Sequence, residues 1–482
     1  MILITIICYF TALLIIARIT SKKGGSNAIF FKGENKSPWY VVSFGMIGAS
    51  ISGVTFISVP GMVRGMDMTY MQTVFGFFFG YLVVAHVLLP IYYKLNLTSI
   101  YTYLETRIGI RAYRTGSIFF LLSRMLGTAA KLYLVCLILY TYVFQQFAIP
   151  FWIIAAGAVT LVWIYTHKSG IRTIVWTDTL QTFCLITALI CIIFFTINKL
   201  GVNFSEVIQT INESKYSRIL VFDDWVSRQN FFKQFISGIF IVIVMTGLDQ
   251  DMMQKNLSCR NLKEAQKNMY CYGFSFIPLN FLFMCLGILL IALAGKTGIE
   301  LPAINDEILP MFATQGYLGE TVLVLFTIGV VAAAFSNSDS ALTAMTTSFC
   351  IDILGTEKET EKIARQKRNK VHILFSIILV IFICLFRLFN DKSVIDAIYI
   401  IASYTYGPLL GMFSFGLFTK RKTNDYFVPF IAIVSPLLCC LIDYIVKQQT
   451  GYQFGYEMLM LNGMLTFAGL WIASIKTKNI TN

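Results

Sequence analysis

The sequence predicts an all-α, polytopic membrane protein of about 13 transmembrane helices, and three observations carry that reading. Of its 482 residues, 57% are hydrophobic and 13% charged, and the mean hydropathy is +0.71. Apolar runs recur along the whole chain, long enough to cross about 30 Å of hydrocarbon at about 1.5 Å per residue. Lys and Arg gather in alternate intervals between those runs, as expected of loops retained in the cytoplasm.

In chain order the spans fall near residues 2–19, 39–60, 69–93, 115–143, 151–166, 171–197, 230–252, 270–294, 319–350, 371–388, 395–418, 426–446 and 455–474. The first is uncharged up to Arg18, with no basic region before it and no cleavage motif, so it reads as a retained helix. Spans 39–60 and 230–252 differ from the rest because glycines and polar residues interrupt them. Two hydrophilic segments are long: Gly201–Gln229 outside and Gly355–Lys370 inside. Neither has the size of a soluble domain, so residues 1–482 form one transmembrane domain.

Placing the N-terminus outside puts 26 of the 38 basic residues in inner loops, among them Lys22, Lys23, Lys32, Lys168, Lys255, Lys476 and Lys478. The C-terminus is then cytoplasmic, and the short loops suit a bacterial inner membrane. The formal net charge of +13 is a topological signal and calls for no nucleic-acid partner. The cysteines sit mostly in apolar spans without metal-ligand spacing, and His86, His167 and His372 are isolated. With no nucleophile triad, zinc pattern or phosphate-binding loop, the sequence predicts neither an enzyme nor an organic cofactor. Oligomeric state is not legible in it.

Function concentrates in Gly329–Asp352, GVVAAAFSNSDSALTAMTTSFCID. An Asp near the middle of a membrane helix costs about 2.5–3.5 kcal/mol to insert, so it faces a cavity or a cation. Ser336, Asp339, Ser340 and Thr343 share one helical face at i, i+3, i+4 and i+7. Hydroxyls, an amide and a carboxylate are hard oxygen ligands suited to Na+, a proton or water. In the interrupted span, FGMIGASISGVTFISVPG carries Gly45, Gly48, Gly53 and Pro60, and unwound backbone at that depth survives only beside a cavity. The second interrupted span carries Gly238, Thr246 and Gly247, and paired breaks of this kind point to an inverted-repeat transporter. Asp178, in GIRTIVWTDTLQT, lies about two turns into its helix and is able to face the same cavity. Arg124 and Lys131 stand one heptad apart within a span. Arg124 suits either bidentate capture of an anionic solute or pairing with a membrane carboxylate such as Asp178.

These motifs, together with LNLTSIYTYLETRIGIRAYR, GLDQDMMQKNLSCRNLKEAQKN and YGPLLGMFSFGLFTKR, resemble the sodium:solute symporters over nearly the whole chain. The resemblance implies an inverted five-plus-five helix repeat of the LeuT type. Repeat one covers about 39–197 and repeat two about 230–418, with extra helices at 2–19, 426–446 and 455–474. It also implies alternating access coupled to one or two Na+ ions. Carried over by position, the main Na+ site uses the carbonyls of Gly48, Ile51 and Ala333 with the side chains of Ser336 and Asn337, where the family usually has Ser or Thr at 337. A second site draws on Asp178, Ser336, Asp339 and Ser340. For the solute, the resemblance and the polar pattern nominate Ser50, Thr55, Gln72, Arg124, Tyr404 and Tyr406, with Tyr70, Phe75, Tyr133 and Thr405 as pocket or gate residues. SGVTFISVP looks more like the branch handling monocarboxylates, vitamins and iodide than the sugar branch. The expected function is therefore Na+-coupled import of a small organic solute, leaning to a carboxylate. Alternatives are a sugar or sialate symporter, a proton-coupled carrier using Asp178 or Asp339, and a transporter-like sensor.

Overall fold

The computed structural model describes residues 2–20, 30–31, 36–144, 147–167, 170–389, 394–452 and 454–478. Lys22, Lys23, Lys32 and Lys168, expected on the inner side, lie outside them. Regular structure among the described residues is helical, apart from one isolated bridge between Ser37 and Cys259. The helices that build the site are α1 (Ile2–Thr20), α2 (Trp39–Ser50), α3 (Gly53–Met66), α4 (Tyr70–Lys94), α5 (Ile110–Thr141), α6 (Phe151–Thr166) and α7 (Ile171–Leu200). The chain continues through α8 (Phe231–Gly247), α9 (Gln250–Leu257), α10 (Leu262–Thr297), α11 (Glu320–Ile353), α12 (Glu361–Phe389), α13 (Val394–Phe418), α14 (Val428–Thr450) and α15 (Met458–Lys478). Eight helices are long and apolar enough to cross a bilayer, and two bent pairs raise that to ten among the described residues. Shorter apolar helices, at Ile7–Thr20, Phe151–Thr166 and Met458–Ser474, fall where the other three spans are expected.

Both interrupted spans are broken. α2 and α3 meet at 59°, and α8 and α9 at 66°. At the first break Ile51 leaves helical geometry with ψ 84°, and Ser52 caps α3 by accepting from the Thr55 amide at 3.4 Å. At the second, the closing turn of α8, Ile243–Gly247, widens to π geometry. Asp249 then caps α9, accepting from the amides of Asp251 and Met252 at 2.9 and 3.3 Å. An acidic N-cap restarts a helix cleanly because it satisfies amides that have no carbonyl partner. Four further helices follow each break, α4 to α7 and α10 to α13, and this gives the five-plus-five arrangement.

One sequence expectation changes here. The second span was set to end at 252, which assigned Lys255 to an inner loop. α9 instead runs to Leu257 with all eight of its residues buried, and Lys255 is 1% exposed. A lysine four residues after Asp251 looks like a solvated helix end in sequence; inside the bundle it is an interior cation.

α11 lies at the centre, packed against α7, α5, α3, α9 and α2. Its apolar stretch and that of α5 are each 72% buried, against 28% for α12 and 22% for α14. The latter two present rows such as Ile373, Ile377, Ile381 and Ile433, Leu437, Leu441 to the outside, as lipid-facing helices do. Close approach in the interior depends on absent side chains. Where α4 crosses α8, a Cβ on Gly238 would stand 2.3 Å from the Thr73 carbonyl oxygen, and one on Gly76 would stand 2.1 Å from that of Phe235. Where α2 meets α7, a Cβ on Gly48 would fall 2.0 Å from Thr182 Oγ1. The segment 201–229 holds a short helix, Phe204–Asn212, with a capping box between Asn203 and Glu206.

Gly238→Ala therefore forces α4 and α8 apart, because the obstructing atom is backbone. Overpacking of this kind costs about 1–3 kcal/mol, to be read as a lowered midpoint of thermal unfolding in detergent, with Gly295→Ala, at a site with open space, as the neutral control.

Candidate functional site at the two helix breaks

The breaks free backbone carbonyls at the depth where lipid offers none of its own donors, and the two are treated differently. At the second break Tyr92 donates to the Gly247 carbonyl at 2.9 Å and Tyr101 to that of Leu248 at 3.0 Å. At the first, the Ser52 amide turns back to Ser50 O at 3.0 Å, so it does not cap Gly48, and the Thr55 amide goes to the Ser52 hydroxyl and not to Ile51. The Gly48 and Ile51 carbonyls thus lack the i+4 partners of a continuous helix. α11 passes alongside. Asn337 donates its amide to Ala49 O at 2.8 Å, while its own Oδ1 is buried and unpaired. An orphaned amide oxygen, freed carbonyls and the Ser336 hydroxyl form a neutral, hard donor set. Such a set fits Na+.

Behind this set lies a buried charge network. Ser336 donates to Asp178 Oδ1 at 2.6 Å, and Lys255 reaches Asp178 Oδ2 at 2.7 Å. Tyr165 on α6 donates to Asp339 Oδ2 at 3.0 Å, and the Ser340 amide to Asp339 Oδ1 at 2.5 Å. The Ser340 hydroxyl turns to the Ser336 carbonyl at 2.9 Å and toward Asp251 Oδ2 at 3.3 Å. Asp178, Ser336, Asp339 and Ser340 are therefore neighbours whose oxygens point to different partners.

Between the breaks is a cavity of about 90 Å³. Ser50, Tyr81, Tyr272, Thr246, Lys131 and Asn337 supply its polar lining, and Phe77, Phe276, Met245 and Met252 its apolar walls. Ser50 hydrogen-bonds Tyr272, which accepts from Tyr81 at 2.8 Å. Arg124 also borders the cavity but is committed elsewhere. It pairs with Asp251 and lies 3.7 Å from Asp249, whose other partner is the Tyr406 hydroxyl. Of the two roles weighed for Arg124, the structure shows the carboxylate partner, and the acids are Asp249 and Asp251, not Asp178.

Lys131 has no ion-pair partner among the described residues. It lines the cavity between the breaks.

Other nominated residues sit away from this cavity. Gln72 donates to Gln229 O at 2.8 Å and accepts from the Val221 amide at 2.9 Å, which ties the segment 201–229 to α4. Thr55 opens α3 beside its cap, and Tyr133 packs against Phe151 and Phe386. Tyr70 is buried against Phe77, and Phe75 packs at the edge of the core. Thr405 donates to Ser123 at 2.8 Å, joining α13 to α5. Tyr404 lines a separate cavity of about 210 Å³ with Arg228, Asp443 and Lys447. The residues that sequence reasoning missed are Lys255, Asp249, Asp251, Tyr165 and Tyr272; Thr246, noted in the second interrupted span, lines the cavity. Asp249 carried a signal, since an acid directly after a Gly-Leu break is a natural N-cap.

Paired broken helices, each opening a five-helix set, with a polar cavity and buried acids between them, define a secondary transporter of the LeuT fold. The chain belongs to the sodium:solute symporter family, whose model matches residues 30–425. Among curated proteins it is 24% identical to the sodium/sialic acid symporter NanT of Aliivibrio fischeri, over 99% of this chain and 94% of that one. It is also 24% identical to sodium-coupled monocarboxylate transporter 1 of Homo sapiens, over 50% of this chain and 39% of that protein. Among solved structures, a Na+-coupled sialic acid symporter in a substrate-bound outward-open state superposes with a TM-score of 0.83 at 21% identity, covering 98% of this chain and 97% of that one. Mhp1, a nucleobase-cation symporter, follows at 0.55 and 14%, covering 95% of each.

Asp251→Leu leaves Arg124 only the more distant Asp249, at 3.7 Å, as an acid partner among the described residues, and breaking a buried pair costs up to about 3–5 kcal/mol. Combined with Arg124→Met, the expected loss in unfolding free energy is smaller than the sum of the single losses, and a double-mutant cycle by denaturant unfolding in micelles measures the difference.

Proposed function

We propose that this protein is a Na+-coupled symporter that imports an organic carboxylate by alternating access, with Lys131 as the anchor for the carboxylate. The observation that carries the anion is the charge inventory at the cavity. Arg124 and Lys255 are each paired with acids, whereas Lys131 lines the cavity and is not. A cation at bilayer depth is retained for a partner, and a solute carboxylate provides one. The relatives fit the same chemistry, since sialic acids and monocarboxylates share that group.

Na+ is held by the carbonyls of Gly48, Ile51 and Ala333 with Ser336 and Asn337. Asn337 touches the first break directly and also borders the cavity, so cation and solute share a wall. Binding of one then favours the arrangement that binds the other, and the coupling is reciprocal. The two repeats occupy about 39–197 and 230–418, in a multi-pass protein of a bacterial inner membrane with its C-terminus in the cytoplasm. The buried acids Asp178 and Asp339 keep proton coupling as the competing reading.

The deciding experiment is uptake by proteoliposomes at fixed pH with Na+ replaced by choline or Li+. Uptake of sialate or of a monocarboxylate that collapses in choline supports Na+ coupling, and uptake that follows a pH gradient without Na+ sinks it. Asn337→Ala is expected to raise the half-saturating Na+ concentration roughly tenfold, a loss of about 1.4 kcal/mol. Lys131→Gln is expected to cost about 2 kcal/mol or more of carboxylate binding, seen as a raised KM for the acid, and equal KM values in wild type and variant would remove Lys131 from the solute site.

A further inference from the structure

We infer that the ammonium of Lys255 takes the place of a second Na+, so that this carrier binds one coupling ion where the resemblance allows two. The inference rests on the symporter reading above and goes beyond it. The four side chains that would surround a second ion do not converge on a common point. Asp178 holds Lys255 through one carboxylate oxygen and the Ser336 hydroxyl through the other. Asp339 is occupied by Tyr165 and the Ser340 amide, and the Ser340 hydroxyl is spent on the Ser336 carbonyl at 2.9 Å and on Asp251 at 3.3 Å. Lys255 and Asp178 are 1% and 0% exposed, so water does not screen the pair.

Charge supports the same assignment. Lys255 already sets its positive charge against the Asp178 carboxylate at 2.7 Å, as an ion at that acid would. A second Na+ there would add positive charge out of contact with water, where unpaired charge is most costly. A tethered ammonium also behaves differently from a bound ion. It joins α9 of the second repeat to α7 of the first, and it stays in place through every cycle.

Equilibrium binding of radioactive Na+ to the purified full-length protein in nanodiscs tests this without knowledge of the solute. Wild type is expected to bind one saturable equivalent, Lys255→Gln to gain a second, and Lys255→Arg to return to one. Ser336→Ala is expected to weaken the equivalent that wild type holds. Two equivalents in wild type would overturn the inference and leave Na+ coupling intact, and this result stands even if the glutamine variant does not fold. A folded Lys255→Gln protein that still binds one would equally overturn the role given to Lys255. Absence of any saturable Na+ binding in wild type would overturn the symporter reading and this inference together.

Discussion

Charged groups inside this bundle have no water to turn to, and the rest of the site depends on how the protein satisfies them. Asp178, Asp249, Asp251 and Asp339 all lie at or below 1% exposure. An isolated carboxylate in such surroundings costs many kcal/mol unless another group meets it. Three of the acids are met by two cations from elsewhere in the fold, Asp178 by Lys255 on α9 and both Asp251 and Asp249 by Arg124 on α5, and each of these pairings crosses from one repeat to the other. Hydroxyls from Ser336, Tyr165 and Tyr406 take up what remains. The network therefore fixes the relative position of α5, α7, α9, α11 and α13, and it does so in the region where the two broken helices leave backbone exposed.

The breaks show why similar sequence signals lead to different chemistry. Both spans are interrupted by glycine and both bend sharply. At the second break, tyrosines from α4 and the segment after it cover the freed carbonyls, and Asp249 caps the restarted helix. At the first break the local donors turn to nearer acceptors, and the Gly48 and Ile51 carbonyls keep their lone pairs available. Helix dipoles and unpaired carbonyls are useful to a cation only where no hydroxyl reaches them first. The asymmetry between the two breaks thus comes from the position of two tyrosine hydroxyls.

Much of this was legible in sequence because the bilayer restricts the chain so severely. Each expected span falls on a helix, since a long apolar run has no other way to cross hydrocarbon. The polar stripe of α11 and the broken span at 39–60 stood out for the same reason. What stayed hidden was partner choice. Lys255 reads as a loop residue because its helix is short and polar, and only the fold carries that helix into the interior. Gln72 and Tyr404 are polar or aromatic at plausible depths, yet one ties down the segment 201–229 and the other lines a different cavity. Spacing along a helix specifies a face; which neighbour that face meets is a property of the tertiary arrangement.

Coupling between ion and solute needs an element that both contact, and in the proposed function that element is α11. Asn337 contacts the first break through its amide and borders the cavity, while Ser336, one residue earlier, is joined to Asp178 and through it to Lys255. A cation that draws Asn337 Oδ1 and the α2 carbonyls together would tighten the cavity wall opposite Lys131. A carboxylate drawn to Lys131 would in turn favour the same closure. Tyr406 extends the linkage outward, because α13 is tied by it to Asp249 and by the neighbouring Thr405 to Ser123 on α5. Any movement of α13 that admits or releases solute must therefore disturb the acid that caps α9, and α9 carries Lys255. Access to the cavity and the charge balance beside the cation are in this way parts of one hydrogen-bonded structure, which is the condition for transport of one solute to depend on binding of the other.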